Sequence, residues 1–242
     1  MSNPLIRKLE HGALLTDEDR AVLEAISRVS RRVPTNHDII TEGTRPAAVN
    51  LIMGGFACRY KLLPDGQRQI TAFLVPGDFC DLHVTLLGEM DHTIGTGWGC
   101  DIVEIPRATI DELLQNHPRI ARALRWSTLV DEATLRTWLV SMGQRSASKQ
   151  LAHLVCELLL RLQTVGLADA DSFDFPLSQV DLGDTLGLSV VHVNRTLQEL
   201  RGLNLISWKH KRVHIPDVER LKSFADFEPR YLHLDDCRDL PA

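Results

Sequence analysis

The sequence predicts an α+β chain in three parts: a β-rich N-terminal domain, a long helix, and a C-terminal helix-turn-helix with a β-wing. Three observations support this. Glycines punctuate short strand-like runs from residue 32 to residue 106 and nearly vanish afterwards; about 25 residues then run without a break; and the segment 186–201, LGLSVVHVNRTLQELR, has apolar residues at helical spacing. We expect domains at 1–117 and 144–242, joined by a helix at 118–143.

The N-terminal part combines a helical start with an antiparallel β-sandwich or barrel. TDEDRAVLEAI begins with Thr16 followed by Asp19, a capping signal for a helix. Runs such as NLIMGG, FACRYKLL and QITAFLV have the length and composition of strands, and PDG at 64–66 and PGD at 76–78 are typical of turns between them. Short strands at this spacing indicate a jelly-roll-like architecture.

Composition places few limits on function. The 242 residues carry a net charge of −5. No run approaches the roughly 18 apolar residues of a membrane span, and the N-terminal segment MSNPLIRKLEHG lacks the apolar core of a signal peptide. We therefore expect a cytoplasmic protein. The cysteines are scattered without a C-x-x-C pair, which favours reduced, buried thiols over disulfides. They are Cys58, Cys80, Cys100, Cys156 and Cys237.

The long helix, PRIARALRWSTLVDEATLRTWLVSM, has apolar residues on more than one side. Such a helix needs more than one packing partner, and we expect one of them to be the same helix of a second chain. Burial within one chain is the alternative. Gly143 is expected to end the helix and to act as a hinge. The predicted dimer contacts are Ile120, Leu124, Val130, Leu135, Trp138 and Met142.

The C-terminal part reads as helix, tight turn, helix and wing. Ser178 and Ser189 are predicted caps, Gly187 breaks the chain between the helices, and LISWKHKRVHIP forms two β-rich runs around a basic tip. The predicted buried positions are Val180, Leu182 and Leu186 on the first helix, and Val190, Val193, Leu197 and Leu200 on the second.

The opposite face of the second helix suits the major groove of DNA. Arg195 can bind guanine, Asn194 can bind adenine or a phosphate, and Val191 can pack on a thymine methyl group. From 186 to 215 five basic residues face a single acid, Glu199, so the local charge favours phosphate. A protein-interaction module is the alternative. The expected DNA-contacting residues are Ser178, Gln179, Ser189, Val190, Val191, His192, Asn194, Arg195, Gln198, Lys209, Lys211 and Arg212.

The chain resembles the CRP/FNR family of bacterial transcription regulators along essentially its whole length. PGDF at 76–79, LGLSVVHVNRTL at 186–197 and LI at 205–206 carry the resemblance. It implies a cyclic-nucleotide-binding-type β-roll as sensor domain, a homodimer joined along the long helix, a two-fold symmetric DNA site and contact with RNA polymerase. Arg195 matches the family's base-reading arginine. Val191 stands where the family often has a glutamate, which implies a different half-site.

The effector differs from those of two well-marked branches of the family. In the cyclic-AMP branch an arginine neutralises the phosphate, yet no arginine lies between Arg68 and Arg107. The oxygen-sensing branch places a cysteine cluster near the N-terminus, yet no cysteine precedes Cys58. We therefore expect neither cyclic AMP nor an iron–sulfur cluster. Asp81, His92, Thr93, Leu135 and Arg136 stand at or near the family's ligand positions, and the expected effector pocket comprises Asp81, His83, His92, Thr93, Leu135 and Arg136.

Other sensor chemistries stay open at this stage. His83, Glu89 and His92 are possible metal ligands within ten residues, but polar rim residues are commoner, so no metal site is predicted. Haem ligation, redox use of Cys80 or Cys100, and the absence of any effector remain alternatives. The alternative function is a cupin-like metal-binding protein or metalloenzyme with an accessory winged-helix interaction module. It would need a His-x-His pair with a following Glu on one strand, which the sequence lacks, so we expect no enzyme.

Overall fold

The computed structural model describes residues 3–234, and Cys237 lies outside them. The N-terminal domain contains two helices and then two antiparallel sheets, with strand orders β1-β7-β3 and β2-β6-β4-β5. Its elements are α1 (Pro4–Leu9), α2 (Asp17–Ile26), β1 (Arg31–Val33), β2 (His37–Ile40), β3 (Ala48–Gly55), β4 (Ala57–Leu62), β5 (Arg68–Leu74), α3 (Val84–Leu87), β6 (Thr93–Thr96), β7 (Cys100–Pro106) and α4 (Arg107–Asn116).

The β-roll forms as the glycine pattern predicts. Both halves of the predicted capping box of α2 are present, because Thr16 and Asp19 each bind the other's backbone N–H. Gly55 ends β3 with a φ of 73°, and a Cβ there would lie 2.4 Å from the carbonyl oxygen of Gly99. Only glycine fits this reversal between β3 and β4.

The long helix α5 spans Pro118–Gln144, 27 residues. It runs through Gly143, whose φ is not positive, and ends with Arg145 as its C-cap. The prediction that Gly143 ends the helix is therefore wrong: one glycine costs a helix about 1 kcal/mol, which long-helix packing outweighs. The chain turns instead at Arg145–Ser146, and Ser146 caps the next helix.

The C-terminal domain is a helix-turn-helix followed by a three-stranded sheet of order β8-β10-β9. The third strand comes from SFD at 172–174, which pairs with β10. The elements are α6 (Ala147–Thr164), β8 (Ser172–Asp174), α7 (Gln179–Leu186), α8 (Val190–Gly202), β9 (Ser207–Lys209), β10 (Arg212–His214) and α9 (Val218–Ala225), with a 3-10 turn at Pro229–Leu232. None of the described helices is long and apolar enough to cross a membrane.

The two domains share one apolar core at their junction. The ring of Phe73 on β5 lies 5.8 Å from the rings of both Trp138 on α5 and Phe175 after β8. Beside it, the guanidinium of Arg68 donates to Asp181 at 2.6 Å and to Asp184 at 2.7 Å, both on α7. The β4–β5 hairpin of the sensor domain therefore holds the first helix of the helix-turn-helix through an aromatic cluster and two ion pairs.

A second set of ion pairs joins α6 to the turn after β5. Arg161 donates to Asp78 at 2.7 Å and to Glu157 at 3.1 Å, and Lys8 donates to Asp78 at 2.5 Å. Burial alone would raise the pKa of Asp78, but the two cations outweigh it and hold that pKa below its ordinary value. The aspartate of the PGDF motif is thus a structural anchor between domains.

His153 on α6 makes a testable contribution to stability. Its buried ring lies 4.8 Å from Phe227, and burial together with the charge of Arg145 lowers its pKa from 6.5 to about 4. The unfolded chain gains a proton as the pH falls through 6.5 while the folded chain stays neutral until about 4, so stability is lost across that window.

We expect a His153→Gln variant to lose less stability than the parent protein on going from pH 7 to pH 5, by roughly 2 kcal/mol. Urea unfolding of both proteins at the two pH values measures this difference, and titrating groups that the proteins share cancel from it. An identical pH dependence would show that His153 is not held neutral by the fold.

Candidate nucleic-acid interface

The second helix of the helix-turn-helix, α8, is held against α7 by a tight turn. Gly187 adopts a φ of 66° there, and a Cβ on Gly183 would lie 2.6 Å from the carbonyl oxygen of Leu188. Ser189 caps α8 by accepting from the N–H of His192 at 3.3 Å. Glycine at these two places lets the helices approach closely, which fixes the direction of α8.

The buried face of α8 comprises Val193, Thr196, Leu197 and Leu200. Val190 was predicted to belong to it, and Val180 to the buried face of α7. Both predictions are wrong, because Val190 is 45% exposed and Val180 is 54% exposed. Each valine lies in the first turn of its helix, and its side chain extends past the edge of the apolar core. Val190 therefore joins the outward surface.

The outward face of α8 carries the predicted base-reading side chains. Val191, Asn194, Arg195 and Gln198 are all exposed and follow one another at helical spacing, with Val191 81% exposed. His192 is half-buried beside them. Within residues 3–234, the guanidinium of Arg195 has no ion-pair or hydrogen-bond partner. An apolar side chain, an amide and a free guanidinium thus share one convex surface.

The wing presents two lysines at a strained turn. His210 and Lys211 have φ values of 50° and 65°, the pattern of a two-residue hairpin turn, and they join β9 to β10. Lys209 and Lys211 are exposed, and neither side chain has an ion-pair partner in the described part of the chain. Positive charge at this tip is therefore available to an anionic ligand.

Arg212 and Ser178 are less free than the sequence indicates. Arg212 donates to Asp169, to Asp174 at 2.9 Å and to the Ser172 hydroxyl at 3.0 Å, so it ties β10 to the loop before β8. Its prediction as a phosphate contact is not supported by this geometry, because Asp169 in the loop before β8 and Asp174 at the end of β8 already neutralise it. The Ser178 hydroxyl donates to Asp181 at 2.6 Å in the capping box of α7. Gln179 beside it is exposed.

The long helix has one apolar face that its own chain does not cover. Ile120 and Leu124 are buried in the β-roll core and Trp138 in the core at the domain junction, while Val130 is half-buried, so the prediction of these four as dimer contacts is not supported. Leu135 and Met142 are exposed as predicted, and Leu139, which sequence reasoning missed, is 72% exposed. Thr128 and Glu132 continue this stripe at spacings of four and three residues.

A cleft of about 570 Å³ separates the β-roll from α5. Of the predicted effector residues, His83, His92 and Leu135 line it. Asp81, Thr93 and Arg136 do not. The carboxylate of Asp81 is buried and accepts from the backbone and side chain of Asn50, and burial raises its pKa to about 6. Thr93 accepts from the N–H of Glu42, and Arg136 pairs with Glu132.

The cleft also contains arginines that sequence reasoning missed because they are remote in the chain. Arg59 of β4 donates to Asp131 of α5 and to the backbone carbonyls of Phe79 and Cys80. Arg161 lines the same cleft and is committed to Asp78 and Glu157. These ion pairs connect the sensor domain, the long helix α5 and helix α6 around the cleft.

Because both guanidinium groups already have carboxylate partners, we expect cyclic AMP to bind weakly, with a dissociation constant well above the micromolar range. Its phosphate would have to separate a buried ion pair, which costs several kcal/mol. Isothermal calorimetry with cyclic AMP checks this. Micromolar binding would show that the cleft rearranges to release Arg59 or Arg161.

Four cysteines are buried and form no disulfide: Cys58, Cys80, Cys100 and Cys156. Burial raises the pKa of Cys58 and Cys156 to about 12 and that of Cys100 to about 11, and raises that of Cys80 as well. The expectation of buried thiols is confirmed for these four. Thiolate chemistry at Cys80 or Cys100 is disfavoured by the same burial.

Two family models match the chain. The model of the cyclic nucleotide-binding domain matches residues 30–117, and that of the Crp-like helix-turn-helix domain matches residues 150–224. They fall on the β-roll and on the domain that contains α7, α8 and the wing. Together they account for more than half of the chain.

Similar curated proteins are named as regulators. The nitrogen fixation regulation protein FixK of Bradyrhizobium diazoefficiens is 26% identical over 215 residues, which cover 88% of this chain and 90% of that protein. The transcriptional activator protein FnrL of Cereibacter sphaeroides is 26% identical over 210 residues, covering 84% and 83%.

Solved structures share the fold. FixK2 from Bradyrhizobium japonicum superposes with a TM-score of 0.72 at 23% identity, over 81% of this chain and 96% of that one. A CooA mutant from Carboxydothermus hydrogenoformans gives a TM-score of 0.66 at 16% identity, over 89% and 99%. With the β-roll, the long helix and the winged helix-turn-helix in the same order, the chain belongs to the CRP/FNR family of transcription regulators.

Proposed function

We propose that the protein is a homodimeric, sequence-specific DNA-binding regulator of transcription that inserts α8 into the major groove. The observation that carries this proposal is the outward face of α8, where Arg195 is exposed without a partner among the described residues. Arg212, by contrast, is held by Asp174 at 2.9 Å. The unpaired fork of Arg195 suits the O6 and N7 atoms of guanine.

The neighbours of Arg195 support the same reading. Val191, one turn earlier, would pack on a thymine methyl group, and Asn194 and Gln198 would supply amides to base edges or phosphates. The family's usual glutamate would accept from cytosine N4, which a valine cannot do. The half-site would therefore differ from that of family members with the glutamate.

A homodimer follows from the apolar stripe on α5. Leu135, Leu139 and Met142 are exposed at spacings of four and three residues, the repeat by which two helices pack side by side. A two-fold axis along this stripe would place the two α8 helices about one DNA turn, ~34 Å, apart. We include contact with RNA polymerase in the proposal only because members of the family usually make it. The protein would act by binding DNA. The alternative of a cupin-like metalloenzyme would need a His-x-His pair with a following Glu on one strand, which the sequence lacks.

The wing gives a direct test with a matched control. We expect Lys211→Ala to weaken binding to specific and random duplexes alike and to reduce the slope of log K against log salt by about one unit per half-site, because one phosphate contact is lost. Arg212→Ala, at the adjacent position, removes a cation already paired with Asp169 and Asp174, so the slope should stay near that of the parent.

Fluorescence anisotropy of labelled duplexes between 50 and 300 mM salt measures both variants. Equal slopes for the parent protein and Lys211→Ala would remove the wing from the proposed interface. A larger change in Arg212→Ala than in Lys211→Ala would reverse the assignment of the two side chains.

A further inference from the structure

The cleft between the β-roll and α5 contains two histidines that the fold leaves without hydrogen-bond partners on one ring nitrogen each. The Nε2 atoms of His83 and His92 are both buried from solvent, and no described atom bonds to either. The two rings lie 5.4 Å apart between their centroids. Buried polar atoms normally have hydrogen-bond partners, so two unpartnered ring nitrogens side by side favour a shared ligand.

The local fold brings these rings together. His83 precedes α3 and His92 precedes β6, and the chain between them makes a short helix that Gly88 ends with a φ of 79°. The chain from 83 to 92 therefore runs along the cleft wall, which Leu87 and Asp91 also line. Neither histidine belongs to a strand, so pairing within the sheets does not require them.

Asp91 lies beside His92 and fixes the tautomer of its ring. Its carboxylate lies 2.5 Å from Nδ1 of His92. Because a carboxylate only accepts, Nδ1 carries the proton and Nε2 keeps its lone pair. A carboxylate on one ring nitrogen with the other nitrogen free is the usual setting of a metal-binding histidine.

We propose that His83 and His92 form a binding site for a divalent transition metal ion such as Zn²⁺, held through their Nε2 atoms, with Asp91 orienting the ring of His92 through Nδ1. Potential donor atoms of the three residues lie within 4.8 Å of one another. Donors around a tetrahedral zinc ion are about 3.4 Å apart, which follows from bonds of about 2.0–2.1 Å, so small side-chain rotations would bring the two Nε2 atoms to that spacing. Cleft solvent would supply the remaining ligands.

The surroundings of the site are compatible with a cation. The arginine and lysine side chains that line the cleft all have acidic partners. Arg59 pairs with Asp131, Arg161 with Asp78 and Glu157, and Lys61, which also donates to the backbone carbonyl of Asp91, pairs with Glu42 at 2.7 Å. Glu89, which the sequence offered as the third ligand, instead pairs with Arg45 at 3.1 Å on the outside of the domain. Glu89 therefore lies outside the site, and Asp91 is the carboxylate beside the two histidines.

The test is calorimetric titration of the full-length, untagged protein with ZnCl2 after removal of metals with a chelator. We expect one ion per chain in the parent protein. His83→Gln and His92→Gln should each weaken binding at least tenfold, and Asp91→Asn should weaken it roughly 10- to 100-fold, as loss of an orienting carboxylate does. His37→Gln, which changes an exposed histidine on β2, is the matched control and should bind as the parent does.

Cobalt substitution distinguishes metal binding at this site from metal binding by the cysteines. Substituted Co²⁺ should give visible absorption without an intense thiolate-to-metal band, because the proposed ligands are nitrogen and oxygen. Asp91 is exposed, so Asp91→Asn keeps the test decisive if a histidine variant fails to fold. The proposal is overturned if the parent protein binds no zinc at micromolar concentration, if Asp91→Asn and both folded histidine variants bind as tightly as His37→Gln, or if the cobalt spectrum shows thiolate ligation.

Discussion

Leu139→Glu is expected to convert the protein to a monomer and to lower its affinity for a two-fold DNA site by 100-fold or more. Leu139 lies at the centre of the exposed stripe on α5, between Leu135 and Met142, and is 72% exposed in the single chain. A carboxylate there would be buried twice, once from each chain, at a cost of several kcal/mol. Two linked half-site contacts gain about 10²–10⁴ in affinity over one, and the monomer loses that gain.

Light scattering at micromolar concentration and anisotropy with a two-fold site measure these effects. Val29→Glu is the control, since Val29 is 81% exposed on the loop before β1, away from α5. It should stay dimeric and bind as the parent does. A Leu139→Glu protein that remains dimeric would place the dimer contact elsewhere, and a parent protein that is a monomer of about 27 kDa would remove the basis for the symmetric site.

Arg195→Ala is expected to cost roughly 1–3 kcal/mol of binding free energy in each half-site and to relax the preference for one guanine. The side chain is exposed and has no described partner to lose, so the fold should keep its stability. Arg220→Ala, which removes an exposed arginine from α9, is the matched control and should change affinity for specific and random duplexes by less than the error of measurement.

Competition anisotropy with specific and random duplexes distinguishes a base contact from a phosphate contact. A base contact lowers specific binding much more than random binding, whereas a phosphate contact lowers both equally. Equal losses would assign Arg195 to the backbone.

The sequence predicts the elements whose signals are local. The caps at Thr16, Ser178 and Ser189 and the turn at Gly187 depend on residues within four positions, and all appear in the structure. The apolar spacing of α8 likewise predicts the side on which Val193, Leu197 and Leu200 are buried. The two exceptions are Val180 on α7 and Val190 on α8. Each lies in the first turn of its helix, where the spacing of apolar residues does not show how far the core extends.

Partners from distant segments could not be predicted in this way. Arg212 appeared free because Asp169 and Asp174 reach it only through the strand pairing of β8 with β10. Trp138 appeared available for dimer contact because its burial depends on Phe73, 65 positions earlier in the chain. Periodicity shows that a helix is apolar on two sides, but not which side its own chain covers.

The cleft contains some residues that the sequence predicted and others that it did not. His83 and His92 were picked as effector residues by their place in the chain, and they do line the cleft. Arg59 and Asp131, which join its two sides, are 72 positions apart and carry no sequence motif. Asp81 matched a ligand position by alignment but is buried against Asn50, because the turn after the PGDF motif folds inward.

Selection of binding sites from a random duplex pool, with the parent protein and with Arg195→Ala in parallel, tests most directly whether α8 reads DNA bases. The parent should recover two-fold symmetric sites whose half-sites are about one helical turn, ~34 Å, apart, each with an invariant guanine. Arg195→Ala should recover sites of the same symmetry in which that guanine is no longer preferred. Identical base preferences for the two proteins, or no enrichment with the parent, would contradict the assignment of α8 as the element that reads DNA.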